Sequence, residues 1–302
     1  MIKRTIEISS EPAHLTVKHD QLLLLPKDDD HAPRATIPCE DIAVVLVEHA
    51  GTTFAHAALE RLLHHGAVLV ICGRDHLPAG MLLPIGEHTE LVPRIHQQIA
   101  VSKPLRKQLW KQIVQAKIRA QAANLPPRSG AHSKLLALAR GVRSGDPSNV
   151  EAQGARVYWQ VWLDDAGFRR DPGGPAPNNM LNYGYAVMRA AVARAIVSAG
   201  LLPALGIQHS RRSNAFCLAD DLVEPLRPLV DERVRELHGD GYSELIPEVK
   251  RALLELLTAR VRTGDQTGPL MVGLHRYVAS LVRCYEGAER RLVIPVPKVE
   301  MC

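Results

Sequence analysis

Cysteine is scarce and unpatterned in this chain. Cys39, Cys72, Cys217, Cys284 and Cys302 are an odd number scattered through 302 residues, and no two stand in a Cys-x-x-Cys pair. That excludes a disulfide-stapled or zinc-framed fold and predicts reduced thiols. Long apolar runs are missing too: the richest stretch, Ala186 to Ile207, is interrupted by Arg189, Arg194 and Pro203. It falls short of the ~18 uninterrupted apolar residues of a membrane span. The N-terminal run MIKRTIEI puts Glu7 where a signal peptide would need an apolar residue, so a cytoplasmic protein is expected. Aromatic residues make up only 4%, which argues against a base-stacking platform for single strands. Trp110, Trp159 and Trp162 fall at helical spacing and read as core. Gly-rich phosphate loops of the P-loop and dinucleotide-binding kinds are absent. So are a Gly-x-Ser-x-Gly elbow and a Cys with a neighbouring His, which excludes the common serine and thiol nucleophiles.

One absence is local and informative. Between Leu91 and Gly145 there is no Asp or Glu, whereas the same segment holds eleven Lys and Arg residues in a chain whose net charge is +5. The rest of the chain is therefore net acidic. A one-signed segment of this kind points to a polyanionic partner, with a solvated helix face as the simpler alternative. Lys103, Lys107 and Lys111 recur every fourth residue and form a basic stripe. Arg169-Arg170 and Arg211-Arg212 are either phosphate contacts or plain exposed pairs.

The remaining composition, 46% hydrophobic and 23% charged, is that of a globular protein. Its length exceeds the roughly 250–300 residues at which one core stops growing, so two domains are expected. Residues 1–88 read as a small β-rich domain around one helix. Strand-type segments are Lys3–Ser9, His14–His19, Gln21–Leu25, Ile42–Val47, Ala67–Cys72 and Gly80–Pro84. Thr53 is placed to cap a helix that runs through His64. Residues 89–302 read as a larger all-α domain. Ser102 and Pro104 start a helix whose apolar residues recur at threes and fours up to Leu125. A short helix is expected around Lys134–Arg140. Further helices are expected over Asn149–Leu163, Asn179–Ala199, Asp221–Leu237, Pro247–Val261 and Pro269–Tyr285. The fold class is thus α+β with segregated domains.

Acids and histidine gather in suggestive settings at Ser148–Glu151, at Gly206–His209 and at Asp220–Pro228. On one helix, Asp221 and Glu224 would share a face. Carboxylates with an imidazole suit Mg²⁺ or Mn²⁺, and such an ion in a basic protein suggests phosphodiester chemistry. Each piece also has a structural explanation. Ser148-x-x-Glu151 matches a capping box, Asp221-x-x-Glu224 matches a cap with a first-turn Glu, and His209 is one of fourteen histidines. Spacing alone does not bring Glu151, His209 and Glu224 together.

Several stretches, in order along almost the whole chain, resemble the CRISPR-associated integrase, the endonuclease/integrase subunit of spacer acquisition, in its compact type II form. They are Ile37–Ala43, Gly80–Pro84, Gln108–Ile113 with Lys117-Ile118, Asn179–Tyr185 (NMLNYGY), Gly206–His209 and Asp220–Pro228 (DDLVEPLRP). The resemblance implies an N-terminal β-domain used for dimerisation or partner docking and a helical catalytic, DNA-binding domain. It implies homodimers that join a small ferredoxin-like partner in a heterohexamer, with an effector nuclease as a further candidate partner. It implies a Mg²⁺ or Mn²⁺ site carried by Glu151, His209 and Glu224, with Asp221 as the adjacent acid. Where the family often has a second histidine before the motif histidine, this chain has Gln208. The activity so implied is insertion of short foreign duplexes into a CRISPR array by 3′-hydroxyl transesterification, an antiviral defence. The alternatives are a stand-alone structure-specific DNase, a transposon-type integrase of the same family and a non-catalytic DNA-architectural subunit.

Overall fold

The structure is a computed structural model and describes residues 3–26, 32–73, 78–85, 90–163 and 167–297. It divides into two compact units, Met1–Thr89 and Glu90–Cys302. Among the described residues no helix is long and apolar enough to cross a membrane. Among the described residues Cys39, Cys72, Cys217 and Cys284 form no disulfide, and Cys302 lies outside the described residues.

The first unit contains β1 (Arg4–Ile8), β2 (Ala13–Lys18), β3 (Gln21–Pro26), β4 (Ala35–Pro38), β5 (Ile42–Val47), β6 (Thr53–Phe54), α1 (His56–His64), β7 (Val68–Cys72) and β8 (Pro78–Leu82). They form two sheets, ordered β1-β5-β7-β8 and β4-β3-β2-β6. The continuous apolar run of β5 is buried along its whole length, as expected of an inner strand with parallel neighbours on both sides. β2 and β3 form a hairpin turned by His19 and Asp20, both with positive φ, the two-residue turn whose twist matches the strands. Leu15, Leu22, Ile42, Val45 and Leu62 fill the core. Thr53 does not cap α1: its backbone pairs with His14 in β6 and its hydroxyl bonds His14 Nδ1 at 2.8 Å. Ala55 takes the cap position instead.

The second unit is built on α2 (Leu91–Ala100), α3 (Lys103–Ala123), α4 (Gly130–Gly141), α5 (Val150–Trp159), α6 (Asn178–Ser198), α7 (Cys217–Val223), α8 (Arg227–Gly239), α9 (Pro247–Leu254) and α10 (Leu270–Tyr285). α6 is apolar almost all round and correspondingly buried. At Gly184 a Cβ would lie 2.4 Å from Val230 Cγ1, so glycine is what lets α6 approach α8. α3 starts at a Ser102 cap, Oγ accepting from Leu105 N–H at 3.4 Å. It packs against α4, α5 and α8 and against the segment that follows α7.

Two long helices of the sequence reading are broken. The stretch 221–237 runs as α7, a 3₁₀ turn Glu224–Leu226, and α8. Pro225 and Pro228 each lack the N–H that would continue the α-helical ladder, so the chain tightens into a 3₁₀ turn. The stretch 247–261 stops early: a 3₁₀ turn Glu255–Thr258 leads into β9 (Arg260–Thr263), which pairs with β10 (Gln266–Pro269) and β11 (Val296–Pro297). The helical unit therefore also carries a small sheet. Arg260 to Thr263 alternate exposed and buried, a period-2 pattern too short to stand out beside the preceding helix.

Candidate active site

The centre of the site is a lysine. Lys117 lies on the buried face of α3 among Ile113, Val114 and Ile118, and its Nζ is 2.5 Å from Glu151 Oε1 and 2.5 Å from Glu224 Oε2. Glu224 Oε1 accepts in turn from Arg227 Nε at 3.0 Å. Burial alone would raise the Glu224 carboxyl, but the Lys117 ammonium and Arg227 guanidinium overcome it and hold the pKa down at about 2. Burial likewise opposes the charge on Lys117, and the two glutamates reverse that and push its pKa up. A buried charge is tolerable when so compensated.

Local structure puts each acid in place. α5 begins in a loop where Gly145, Asp146 and Asn149 all have positive φ. Asp146 accepts from Val150 N–H (2.8 Å) and Glu151 N–H (2.9 Å), and Asn149 Oδ1 accepts from Ala152 N–H. Asp146 and Asn149 therefore cap α5, not a Ser148–Glu151 box, and the Glu151 side chain is left for Lys117. Glu224 starts the 3₁₀ turn forced by Pro225, and this turn is packed on α3.

Asp221 does not join them. The helix breaks after Val223, and the two acids go to different partners. Asp221, 0% exposed, accepts on Oδ2 from the N–H groups of Ile207 (2.6 Å) and Gln208 (2.9 Å). Its Oδ1 takes the N–H of His209 (3.2 Å) and the ring Nδ1 of His209 (2.6 Å). The turn closes tightly on Gly206, where a Cβ would lie 2.3 Å from His209 O and 2.9 Å from Asp221 Oδ2. A proton donated from Nδ1 to the carboxylate leaves Nε2 as the lone-pair nitrogen, the arrangement typical of an oriented metal-binding histidine. The Asp221 hydrogen bond raises the His209 pKa against the opposing effect of burial, and the Asp221, Glu224 and Asp220 charges add to the rise. The His209 ring also stands edge-on to Trp110, 5.9 Å between centroids.

Glu151 and His209 open together into a cleft of about 490 Å³, lined also by Trp110, Asp146 and Arg211. Lys117 and Glu224 line a second cavity of about 130 Å³ with Gln121, Tyr185, Arg227 and Asp231 on its walls. Asp231 accepts from Tyr185 O–H, and burial raises its pKa to about 7 against the lowering effect of its tyrosine partners and Arg227. Arg227 stacks 4.6 Å from the centre of the Tyr185 ring.

Carboxylate oxygens and one imidazole are the right donors for Mg²⁺ or Mn²⁺, and two of the acids already converge on a cation, the Lys117 ammonium. Among the described residues, however, no group of three His, Cys, Asp or Glu side chains is close enough to hold a metal ion as it stands. The donors thus fit a divalent ion in kind, in a site closed on Lys117.

The basic residues divide. Lys103, Lys107, Arg169, Arg211 and Arg212 are exposed, and Lys111 is half-buried. Lys107 borders the cleft's wall: its carbonyl accepts from Gly145 N–H at 2.9 Å, next to Asp146. Arg170 bonds Asn178 Oδ1 (2.9 Å) and Asn182 Oδ1 (2.7 Å), bracing the start of α6. Lys117, one of the bases of the acid-free segment, is neutralised inside the unit. Its role had a signal in the sequence, a lysine at core spacing on an amphipathic helix. Asp146 had none beyond its place before α5.

The family model described as CRISPR associated protein Cas1 matches residues 6–243. The CRISPR-associated endonuclease Cas1 of Neisseria meningitidis serogroup C (strain 8013) is 39% identical over 270 residues, 88% of this chain and 87% of the relative. Among solved structures, a casposase bound to integration product is similar with a TM-score of 0.80 at 21% identity, covering 98% of this chain and 94% of the other. A Cas6-RT-Cas1–Cas2 complex gives 0.76 at 17% identity, covering 99% of this chain and 36% of the other. At those identities the two structures speak for the fold, and the family match and the Neisseria relative speak for descent: the chain belongs to the Cas1 family of CRISPR-associated proteins.

Proposed function

We propose that the chain is a metal-dependent DNA endonuclease and integrase that inserts short foreign duplexes into a CRISPR array. The observation that carries the reading is the meeting of Glu151 and Glu224, 73 residues apart in sequence, at one cation beside His209. Two acids that were only helix caps would have no reason to share a buried ammonium. Family membership and the Neisseria relative's description as an endonuclease support nuclease chemistry. The casposase of the same fold is described as bound to an integration product, which supports strand transfer.

In this mechanism Glu151, His209 and Glu224 hold Mg²⁺ or Mn²⁺, which when bound polarises a phosphoryl oxygen and eases deprotonation of a 3′-hydroxyl. Asp221 fixes the His209 tautomer, so that Nε2 faces the cleft as a base or ligand. Arg211 on the cleft wall and the exposed Lys103 and Lys107 attract the phosphate backbones, a grip that reads no sequence. The incoming 3′-oxygen attacks a phosphorus at the repeat boundary. One P–O bond forms and one breaks, the hydroxyl proton leaves with a base, and the departing 3′-oxygen takes up a proton. Bond count is conserved, so neither an external energy source nor a covalent protein intermediate is needed. The same centre with water as the nucleophile cuts DNA. Homodimers, docked through the first unit on a small ferredoxin-like partner in a heterohexamer, and a cytoplasmic setting complete the proposal. The Cas1–Cas2 description of a neighbour of the same fold supports that partner.

The test mixes the purified chain and its partner with Mn²⁺, a repeat-bearing supercoiled plasmid and a labelled duplex ending in 3′-hydroxyl or 3′-deoxy groups. Joining with the hydroxyl duplex alone is the expected result. Plasmid cutting without joining would favour the stand-alone nuclease. Tight binding without strand chemistry would favour an architectural subunit.

A further inference from the structure

The catalytic carboxylates already have a cation of their own. Lys117 Nζ is 2.5 Å from both Glu151 Oε1 and Glu224 Oε2, so a divalent ion entering from the cleft must compete with the ammonium for those two oxygens. Ammonium and metal draw on the same oxygen lone pairs, and the positive charge left close by would also repel the newcomer. Both effects weaken metal binding for as long as Lys117 stays where it is.

Lys117 has an alternative seat within the ~130 Å³ cavity that it lines together with Glu224. Gln121 and Asp231 are on its walls, with Arg170 and Arg227 also present. Gln121 follows Lys117 by one helical turn on α3 and is 2% exposed. Its Oε1 is buried with no hydrogen-bond partner among the described residues. A buried acceptor left unmatched costs stability, and an amide oxygen one turn along the helix is within reach of a lysine's flexible stem. Arg227, bonded to Glu224 Oε1, keeps that carboxylate partnered while the lysine is away.

We propose that Lys117 is a displaceable resident cation: it bridges Glu151 and Glu224 when the site is free of divalent metal and withdraws towards Gln121 and Asp231 when metal binds. Lys117 is then a positioning residue that keeps the two acids together in the apo protein and sets the metal affinity. Gln121 is its receiving group. The proposal rests on the reading that Glu151 and Glu224 ligate the ion.

Calorimetric titration of Mn²⁺ into the full chain, with no DNA present, tests it in wild type, Lys117→Met, Lys117→Gln, Gln121→Leu, the Lys117→Met/Gln121→Leu double variant and Glu151→Ala. Removing the competitor is expected to tighten Mn²⁺ binding about tenfold or more. Gln121→Leu takes away the seat and is expected to weaken binding about tenfold in the wild-type background and to change nothing once Lys117 is gone. Lys117 variants that bind Mn²⁺ no more tightly than wild type overturn the proposal, as does a Gln121→Leu variant with wild-type affinity. The latter decides the matter even if both Lys117 variants misfold. In these cases Glu151-dependent binding by wild type leaves the metal reading standing. Binding that survives Glu151→Ala, or no binding by any form, removes that reading and this proposal with it.

Discussion

Asp221→Asn is nearly isosteric, and the geometry predicts its consequences in some detail. The wild-type carboxylate receives Ile207 and Gln208 N–H on one oxygen and the His209 N–H and ring Nδ1–H on the other. An amide can offer only one of those faces as an acceptor. Turning its NH₂ towards Ile207 and Gln208 would set it against two backbone donors, which cannot give way. Turning it towards His209 sets it against only one backbone N–H, because the ring can change tautomer and accept at Nδ1. The second orientation wins. It strands one part-buried donor, at about 1–3 kcal/mol, and exchanges charge-assisted bonds for neutral ones. The loss is therefore about 2–4 kcal/mol, or roughly 4–16 °C in melting temperature for a domain of ~200 residues. The tautomer change matters more for function, because Nε2 now carries the proton and can neither ligate nor accept. With its main raising influence gone, the His209 pKa also drops, and burial pulls it down further. Urea unfolding and ¹⁵N spectra of the His209 ring read both effects. An Asp221→Asn protein whose neutral His209 ring keeps its proton on Nδ1, or whose stability is unchanged, would refute this reasoning.

Changing Lys103, Lys107 and Lys111 to Ala together should weaken duplex binding and flatten its salt dependence by about 0.9 for each phosphate no longer neutralised. The half-buried Lys111 should contribute least, and an unchanged slope in salt titrations would place the stripe away from DNA. Gly206→Ala should cost about 1–3 kcal/mol, as for other overpacked sites, because the added carbon overlaps His209 O; thermal melting measures it. Asp231 keeps its proton in the fold up to about 7 but loses it near 3.8 when unfolded. Its contribution to stability is therefore present below about 4 and falls as pH rises to 7. Asp231→Asn should then gain on wild type by a few kcal/mol between pH 4 and pH 8, and parallel stability curves would contradict this.

Much of this was legible in the sequence because local chemistry and tertiary packing agree. The β5 run, the Ser102-capped α3 and the apolar α6 each follow from pattern alone. Elsewhere packing overrode the pattern. Pro225 and Pro228 cut what periodicity reads as one helix, which separates Asp221 from Glu224. Ser148-x-x-Glu151 has the residues of a capping box, but Asp146 is better placed to cap and Glu151 turns inward. Lys117 counts as surface charge in any sum over the segment, yet its spacing on α3 is that of a core residue. Residue order could suggest Glu151, His209 and Glu224 through resemblance, but the lysine that joins two of them becomes visible only when three elements are seen to converge.

Glu151 is proposed to do chemistry and not merely to shape the protein. The most direct measurement compares wild type and Glu151→Gln for joining of a 3′-hydroxyl duplex to a repeat-bearing plasmid, with duplex affinity and melting temperature determined on the same samples. The expected result is loss of joined product by at least about a hundredfold, with duplex affinity nearly unchanged and the fold intact. Joining at the wild-type rate by a folded Glu151→Gln protein, or loss of joining strictly in step with loss of DNA binding, would contradict it.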